Sequence, residues 1–552
     1  MRNSMGSPNR LVSSELPHAA TRPRQESRMS ILRTFVACSV FLSAAHAFAG
    51  WSPADPAALH PPEPAREFRA VWVASVQNID WPSAKDLSIE QQKAEIVRNV
   101  DGLAKMNFNA VLLQVRPSCD ALYPSTLEPW SEYLMGASGK APDDPAYDPL
   151  ALWIEECRKH AIDVHVWINP YRARHFKATS PNASNHISNT NPSIVKSYDF
   201  YEWLDPGEPE AVEHTMRVVM DIVTRYNIDG VAIDDYFYPY PKEGQAFPDD
   251  ESYQKYVAQL TASAGPGEAV RPLPKDLWRQ SNINRFVERF YTDIKKAKPH
   301  VLVGIAPFGI WRPGFPEGIK GMDAVARLHA DAKLWLHNGW LDYISPQLYW
   351  SVDSRDQNFG RLLVWWASEN SQERHLWPSL YTSRINQQSA DPTKNWIPDE
   401  IVKQITVTRE RAHNPGIATP GQIHFSLKVM LENRGGINKA LMASYNAPAL
   451  IPETTWSSDP AFAQTAWNAT VASDAQKTAL AWQPWDLPHM PSRWVLWVRR
   501  NNEWTTTILP GTRAGQTLDT AGADAIALAP VSRTGTLGTT RAWTLPPASP
   551  TP

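Results

Sequence analysis

From Phe68 to Val429 one alternation recurs eight times: a short apolar, β-branched run followed by a longer amphipathic or polar stretch. The runs Phe68–Val76, Ala110–Val115, Asp163–Ile168, Gly230–Asp234, Val301–Ala306, Tyr343–Tyr349, His375–Tyr381 and Gln422–Val429 read as strands. Ser88–Lys105, Pro149–Lys159, Glu210–Tyr226, Ile283–Lys296 and Pro398–Arg411 read as helices between them. A strand that is apolar on both faces needs cover on both, and helical crossovers supply it, so repeated βα units imply a parallel sheet. Eight units predict an α/β chain built on a (β/α)8 barrel of the TIM type, with an open doubly wound sheet as the alternative.

Two connections, Pro170 to Pro209 and Tyr236 to Leu277, are too long for turns, and both follow a strand. In a barrel they become long loops on the C-terminal face, where active sites are built. The rhythm changes after Ala449-Leu450-Ile451-Pro452. Thr478–Trp482, Ser492–Arg499 and Glu503–Ile508 are short alternating runs divided by Pro, Gly and Asn-Asn turns, the pattern of a small all-β sandwich. The expected organisation is a barrel over 67–450, a sandwich over 451–545 and a tail over 546–552, preceded by a Pro- and Ala-rich linker over 50–66. The sandwich lies beyond a Pro-containing boundary and its turns carry no acid/base pair. It is expected to fold on its own, and truncation near Pro452 to leave an active barrel.

Residues 1–49 read as a signal peptide. Arg28 and Arg33 precede an apolar run from Thr34 to Ala45, and Ala45-His46-Ala47 and Ala47-Phe48-Ala49 have cleavage spacing. Met29 is an alternative start. The run is too short to span a bilayer, so the expectation is export to the periplasm or cell envelope, with the mature chain starting near Gly50. Lipid attachment at Cys38 is the lesser reading, because that residue sits inside the apolar run. Cys119 and Cys157 then remain, too few for a disulfide framework, and are expected to be buried free thiols.

A formal net charge of -3 removes the basic field that nucleic-acid binding requires. No glycine-rich phosphate loop, G-x-S-x-G elbow, H-x-x-x-H pair or C-x-x-C pair outside the signal segment occurs, so neither cofactor nor metal is expected. His165, inside a strand, reads as a hydrogen-bonded core residue.

The strongest constellation is Asp229-Gly230-Val231-Ala232-Ile233-Asp234-Asp235-Tyr236, an apolar strand ending in two adjacent carboxylates. Like charges that close cannot both ionise freely, and split pKa values suit acid and base roles. Asp229 begins the strand and reads as structural. Other strand ends carry amides, arginines and aromatics: Gln77, Asn78, Asp80 and Trp81; Gln114, Arg116 and Asp120; Trp167, Asn169, Tyr171 and Arg172; Phe308, Trp311 and Arg312; Gln347, Tyr349 and Trp350; Tyr381. The 24 tryptophans fit this reading, since aromatic faces stack on sugar C–H faces while amides and Arg bond hydroxyl and N-acetyl groups. Glycan strands are thus the expected partner.

Five segments together carry a resemblance: Glu67–Val73, Leu113-Gln114-Val115-Arg116-Pro117, Trp167-Ile168-Asn169-Pro170-Tyr171-Arg172, Asp229–Tyr236 and Ile344–Trp350. They resemble the glycosyl hydrolase-like 10 family over roughly Glu67 to Pro448. The resemblance implies an exported bacterial glycosidase of the type that acts at division sites on peptide-free peptidoglycan. It makes Asp234 and Asp235 catalytic and the strand-end residues, Tyr236 among them, the sugar groove. The C-terminal sandwich resembles a fibronectin type III-like module. The Asp-pair strand also resembles the D-G-x-D-x-D-x-E strand of chitinase-like barrels, with Tyr236 where their acid Glu stands. Asp234 is then the polariser of the substrate's N-acetyl group and Asp235 the acid/base. A non-catalytic glycan-binding protein with the same groove is the competing expectation. A polysaccharide deacetylase is a distant third, for want of metal ligands.

Overall fold

A three-residue strand, β1 (Ser52–Ala54), precedes the barrel. Then come β2 (Phe68–Val73), β3 (Ala110–Arg116) and β4 (Asp163–Ile168), a small antiparallel sheet of β5 (Arg172–Arg174), β6 (Val195–Tyr198) and β7 (Tyr201–Leu204), and β8 (Gly230–Ile233). The series continues with β9 (Leu302–Ile305), β10 (Tyr343–Ile344), β11 (His375–Leu376), β12 (Ser379–Leu380) and β13 (Gly421–His424). This computed structural model describes residues 50–545, apart from 266–268, 390, 392–394, 412–419, 474–476 and 484–489. Residues 1–49, read above as a signal peptide and including Cys38, and the tail over 546–552 lie outside the described residues.

One parallel ladder runs β11-β10-β9-β8-β4-β3-β2-β13-β12. Its two end strands are separated in the chain only by Trp377 and Pro378, so they are halves of one strand position. The lower half pairs with β10 and the upper with β13. The ladder thereby returns on itself through eight positions, as a (β/α)8 barrel requires and an open doubly wound sheet does not. The break falls at Pro378, which has no N–H to donate to a ladder. The eighth run was expected to be strand through Val429, but the strand ends at His424 and Leu427–Leu431 is helix. Hydrophobicity alone cannot separate the two in a short apolar run. Helix ends follow local chemistry closely: Pro149–Lys159 and Pro398–Arg411 form as predicted, and Ser88 and Gln91 make a capping box that starts Ile89–Lys105.

The barrel interior holds unusually large rings. Phe68 stacks on Trp377 at 3.9 Å, and Tyr343 and His165 lie against them. Glycines opposite make this packing fit: a Cβ on Gly304 would lie 1.9 Å from Tyr343 Cζ, and one on Gly230 2.5 Å from His165 Nδ1. Burial lowers the His165 pKa to about 4, and its neutral ring shares a 2.9 Å hydrogen bond with the Tyr343 hydroxyl. Cys119 and Cys157 are buried free thiols. Of the two long connections, the first contains the β5–β7 sheet and the second the helix Asp250–Ser263.

The C-terminal region consists of β14 (Asn468–Ser473), β15 (Lys477–Gln483), β16 (Arg493–Arg500), β17 (Glu503–Pro510), β18 (Gly515–Asp519), β19 (Ala523–Val531) and β20 (Arg541–Thr544). It forms two antiparallel sheets, β14-β15-β18 and β20-β19-β16-β17, with Trp467 and Trp482 of the first region packed against Trp494, Ile526 and Trp543 of the second. The stretch expected to be a plain linker is not one. β1 pairs with β20 and extends the larger sheet, because that edge offers free backbone groups.

Nor does this module stand apart from the barrel. Arg493 is buried and donates to Asp163 Oδ1 at 2.6 Å and to Ala161 O at 3.1 Å. Arg533 bonds Asp229 at 2.8 Å, and the Trp456 indole bonds Asp342 at 2.8 Å. Asp163, Asp229 and Asp342 all stand at the N-terminal ends of barrel strands, opposite the face where active sites lie. Burial opposes ionisation of Asp229, yet Arg158 and Arg533 outweigh it and hold that carboxyl below its ordinary value. Truncation near Pro452 would take one partner from each of these buried carboxylates, leaving Arg158 with Asp163 and Asp229 and Lys295 with Asp342, so the barrel is expected to lose stability without the module.

Candidate active site

At the opposite, C-terminal face the strand ends enclose a cavity of about 290 Å³. Asp234 and Asp235 follow β8, where the chain has begun to turn: Phe237 N already donates to Asp235 O at 3.1 Å. This turn lets two adjacent side chains share one cavity instead of diverging across a pleat. Both carboxylates are buried, and they are the carboxylates of the cavity lining.

Asn169 Nδ2 donates to both oxygens of Asp234 at 2.8 Å. Asn169 is held in turn, since its Oδ1 accepts from Gln114 Nε2 at 2.6 Å and from Arg172 at 2.7 Å. Gln114 Oε1 accepts from the backbone N–H groups of Ser75 and Val76, each at 2.9 Å. A chain of hydrogen bonds thus anchors Asp234 to the ends of three successive barrel strands. Asp235 accepts from the Tyr240 hydroxyl and from Gln347. Burial, then the neighbouring Asp235 charge, pushes the Asp234 pKa up to about 7 against the pull of Arg172. Burial also raises Asp235, against its hydrogen bonds to Tyr240 and Gln347. The pair is therefore set to hold a proton near neutral pH, as an acid catalyst must.

Gln77, Gln114, Trp167, Arg172, Tyr236, Gln347, Tyr349 and Tyr381 also line the cavity. Tyr349 and Tyr381 pack with centroids 4.8 Å apart and their rings tilted by 31°, and Arg172 lies over Tyr236 at 5.1 Å. Other strand-end residues do not line it. Arg116 is completely buried in an ion pair with Glu128 at 2.5 Å, to which His214 adds a bond at 2.8 Å. Asp80 bridges the first and last barrel positions, accepting from Ala74 N, Ser426 Oγ and Lys428 N. Asn78 binds the carbonyls of Pro82 and Tyr133. Trp81 packs on Trp153 and Tyr171 on Phe286. Asp120 accepts from Ser118 N. Asn169 supports Asp234 from behind. Phe308 and Trp350 pack edge to face, while Trp311 stacks on Trp365 and bonds Asp331.

Trp72, His175, Tyr240 and Phe425 line the cavity without having been singled out. Strand parity points to Trp72, which alternates inward with Phe68 and Ala70. Phe425 is the first residue past β13. His175 and Tyr240 sit in long loops with no periodic signal. Among the described residues no cluster of His, Cys, Asp or Glu is arranged to hold a metal ion.

The glycosyl hydrolase-like 10 family model matches residues 67–398, which contain this whole arrangement up to the seventh strand position. The chain belongs to the glycosyl hydrolase-like 10 family. A Bacillus subtilis (strain 168) relative named glycosyl hydrolase YngK is 39% identical over 403 residues, covering 71% of this chain and 74% of that protein. Glycosyl hydrolase DigH of Escherichia coli (strain K12) is 31% identical over 339 residues, covering 56% of this chain and 73% of that protein. Among solved structures, the glycoside hydrolase domain of PgaB (BpsB) from Bordetella bronchiseptica has a TM-score of 0.44 at 13% identity, over 68% of this chain and 98% of that one.

Proposed function

We propose that this glycosyl hydrolase-like 10 protein is an exported glycosidase of the cell envelope that cleaves N-acetylated glycan strands, peptide-free peptidoglycan foremost. One observation carries the mechanism: the cavity's carboxylates are two adjacent residues, not two groups facing each other across it. Most glycosidases place their two carboxyl groups about 5 to 9.5 Å apart on either side of the bond. A neighbouring pair suits a different division, with the substrate's acetamide oxygen as the nucleophile. In this reading Asp234, fixed by Asn169, orients and polarises the acetamide, and Asp235 protonates the leaving oxygen and later deprotonates water. Tyr240 and Gln347 hold Asp235 in place, and Tyr349 and Tyr381 offer stacking faces for the sugar. The names of the YngK and DigH relatives support the hydrolase reading. The three-plus-four strand order of the C-terminal sheets supports a fibronectin type III-like module.

The test is release of new reducing ends from purified peptide-free strands, by the wild type and by Asp234→Asn and Asp235→Asn. Both variants should lose at least about a hundredfold in kcat, the scale of a general acid's contribution. Strands stripped of N-acetyl groups should resist cleavage. Equal cleavage of acetylated and de-N-acetylated strands would refute substrate assistance. Tight binding without any release would instead leave a glycan-binding protein.

A further inference from the structure

The polar groups of the cavity are mostly committed to one another. Asn169 holds Asp234, Tyr240 and Gln347 hold Asp235, and the Arg172 guanidinium bonds Asn169 and Pro117 O. Arg384 differs. It ends the short 3-10 helix Thr382–Arg384, which follows Tyr381 at the cavity end of the seventh strand position. Its guanidinium lies over the Tyr381 ring at 5.1 Å and over the Trp396 ring at 5.2 Å. The Tyr381 ring also packs at a tilt against Tyr349, and both tyrosines line the cavity. The positive charge therefore stands beside the cavity wall, on a face built for stacking.

Among the described residues nothing hydrogen-bonds or ion-pairs with this guanidinium, and its buried Nε has no partner. Asp391 acts on it only through space. Half-burial lowers its pKa below the ordinary value, as expected for a cation that has lost water without gaining an anion. Arginine presents up to five donors in a planar fork that matches a carboxylate, and leaving them unmet in a partly dry site is unfavourable. Arg312, by contrast, is paired with Asp323.

We propose that Arg384 is a specificity-determining residue that binds a carboxylate carried by a sugar lodged against Tyr381 and Tyr349. The proposal rests on the glycan reading above and narrows it to anionic strands. Two sources share that chemistry: an ether-linked carboxylate on an N-acetylated sugar, left free when no peptide is attached, or the ring carboxylate of a uronic acid. A peptide joined through the first would turn the carboxylate into a neutral amide and remove the charge that Arg384 reads.

The experiment measures binding by calorimetry, and reducing-end release separately, for wild type, Arg384→Gln and Arg384→Lys. The probes are peptide-free peptidoglycan strands, the same strands with their carboxylates converted to methylamides, and a polymer alternating uronic acid with N-acetylglucosamine. Wild type should bind the free-carboxylate strands about tenfold to a hundredfold more tightly than the methylamides, the worth of one charge-assisted hydrogen-bonded pair. Arg384→Gln should collapse that ratio towards one, and Arg384→Lys should keep part of it because the charge remains. Binding of the uronic-acid polymer that is also lost in Arg384→Gln would assign the site to carboxylates in general, and its absence to the ether-linked group. Equal wild-type affinity for free and amidated strands, or an unchanged ratio in Arg384→Gln, overturns the proposal. Failure of the glycosidase reading shows separately, as strands bound but never cut, and the affinity ratio still decides the role of Arg384.

Discussion

Replacing Asn169 with Ala removes the two 2.8 Å donations that hold Asp234 and leaves Gln114 Nε2 and one Arg172 nitrogen without their shared acceptor. Donors to a carboxylate favour its ionised form, so their loss raises the Asp234 pKa above its present value of about 7. A hydrogen bond to a charged group contributes about 1.5 to 3 kcal/mol, and 1.36 kcal/mol corresponds to one pKa unit, so the shift is roughly 1 to 2 units. The released Arg172 nitrogen can swing towards Asp234 and offset part of this, which favours the lower end, about one unit. The assay is the pH dependence of kcat/KM for reducing-end release, which reports the free enzyme's acid and base groups. The limb belonging to the aspartate pair should move to higher pH by about one unit in Asn169→Ala, and by less in Gln114→Leu, which only loosens Asn169. A uniform loss of rate with both limbs in place would refute this reasoning and make Asn169 a packing residue.

Other consequences concern the scaffold. Gly304→Ala would force a methyl group into the Tyr343 ring, where a Cβ has only 1.9 Å, and should cost about 3 kcal/mol in chemical denaturation. Arg493→Ala leaves the buried Asp163 carboxylate with Arg158 alone, at 3.6 Å, and should destabilise the fold by about 3 kcal/mol. Burial outweighs Arg493 and Arg158 and already holds the Asp163 pKa above its ordinary value. The folded state therefore retains this proton more tightly than the unfolded chain, and stability from this group falls as pH rises through that window. Losing Arg493 steepens the fall, so thermal melts should show a larger penalty near pH 8 than near pH 5, and Asp163→Asn should abolish the difference. A chain ending near Pro452 should melt at lower temperature than the full chain. An unchanged melt would show that the bonds from Arg493 and Arg533 contribute nothing.

What the sequence by itself determined is what depends on neighbours a few residues apart. The eight βα units, the helices Pro149–Lys159 and Pro398–Arg411, and the placing of Asp234-Asp235 at a strand end follow from period, propensity and caps. Strand-end chemistry also pointed to the face of the barrel that holds the cavity with Asp234 and Asp235. Which residues on that face reach the cavity was decided by tertiary structure. Arg116 and Arg172 read alike in sequence, yet Glu128 draws the first into the core while the second stacks on Tyr236 in the cavity. The break at Pro378, the seating of β1 on β20 and the pairing of Arg493 with Asp163 join segments separated by up to hundreds of residues. No local pattern encodes such partners. A buried charge or a free strand edge demands one, and only the folded chain settles which group lies close enough to serve.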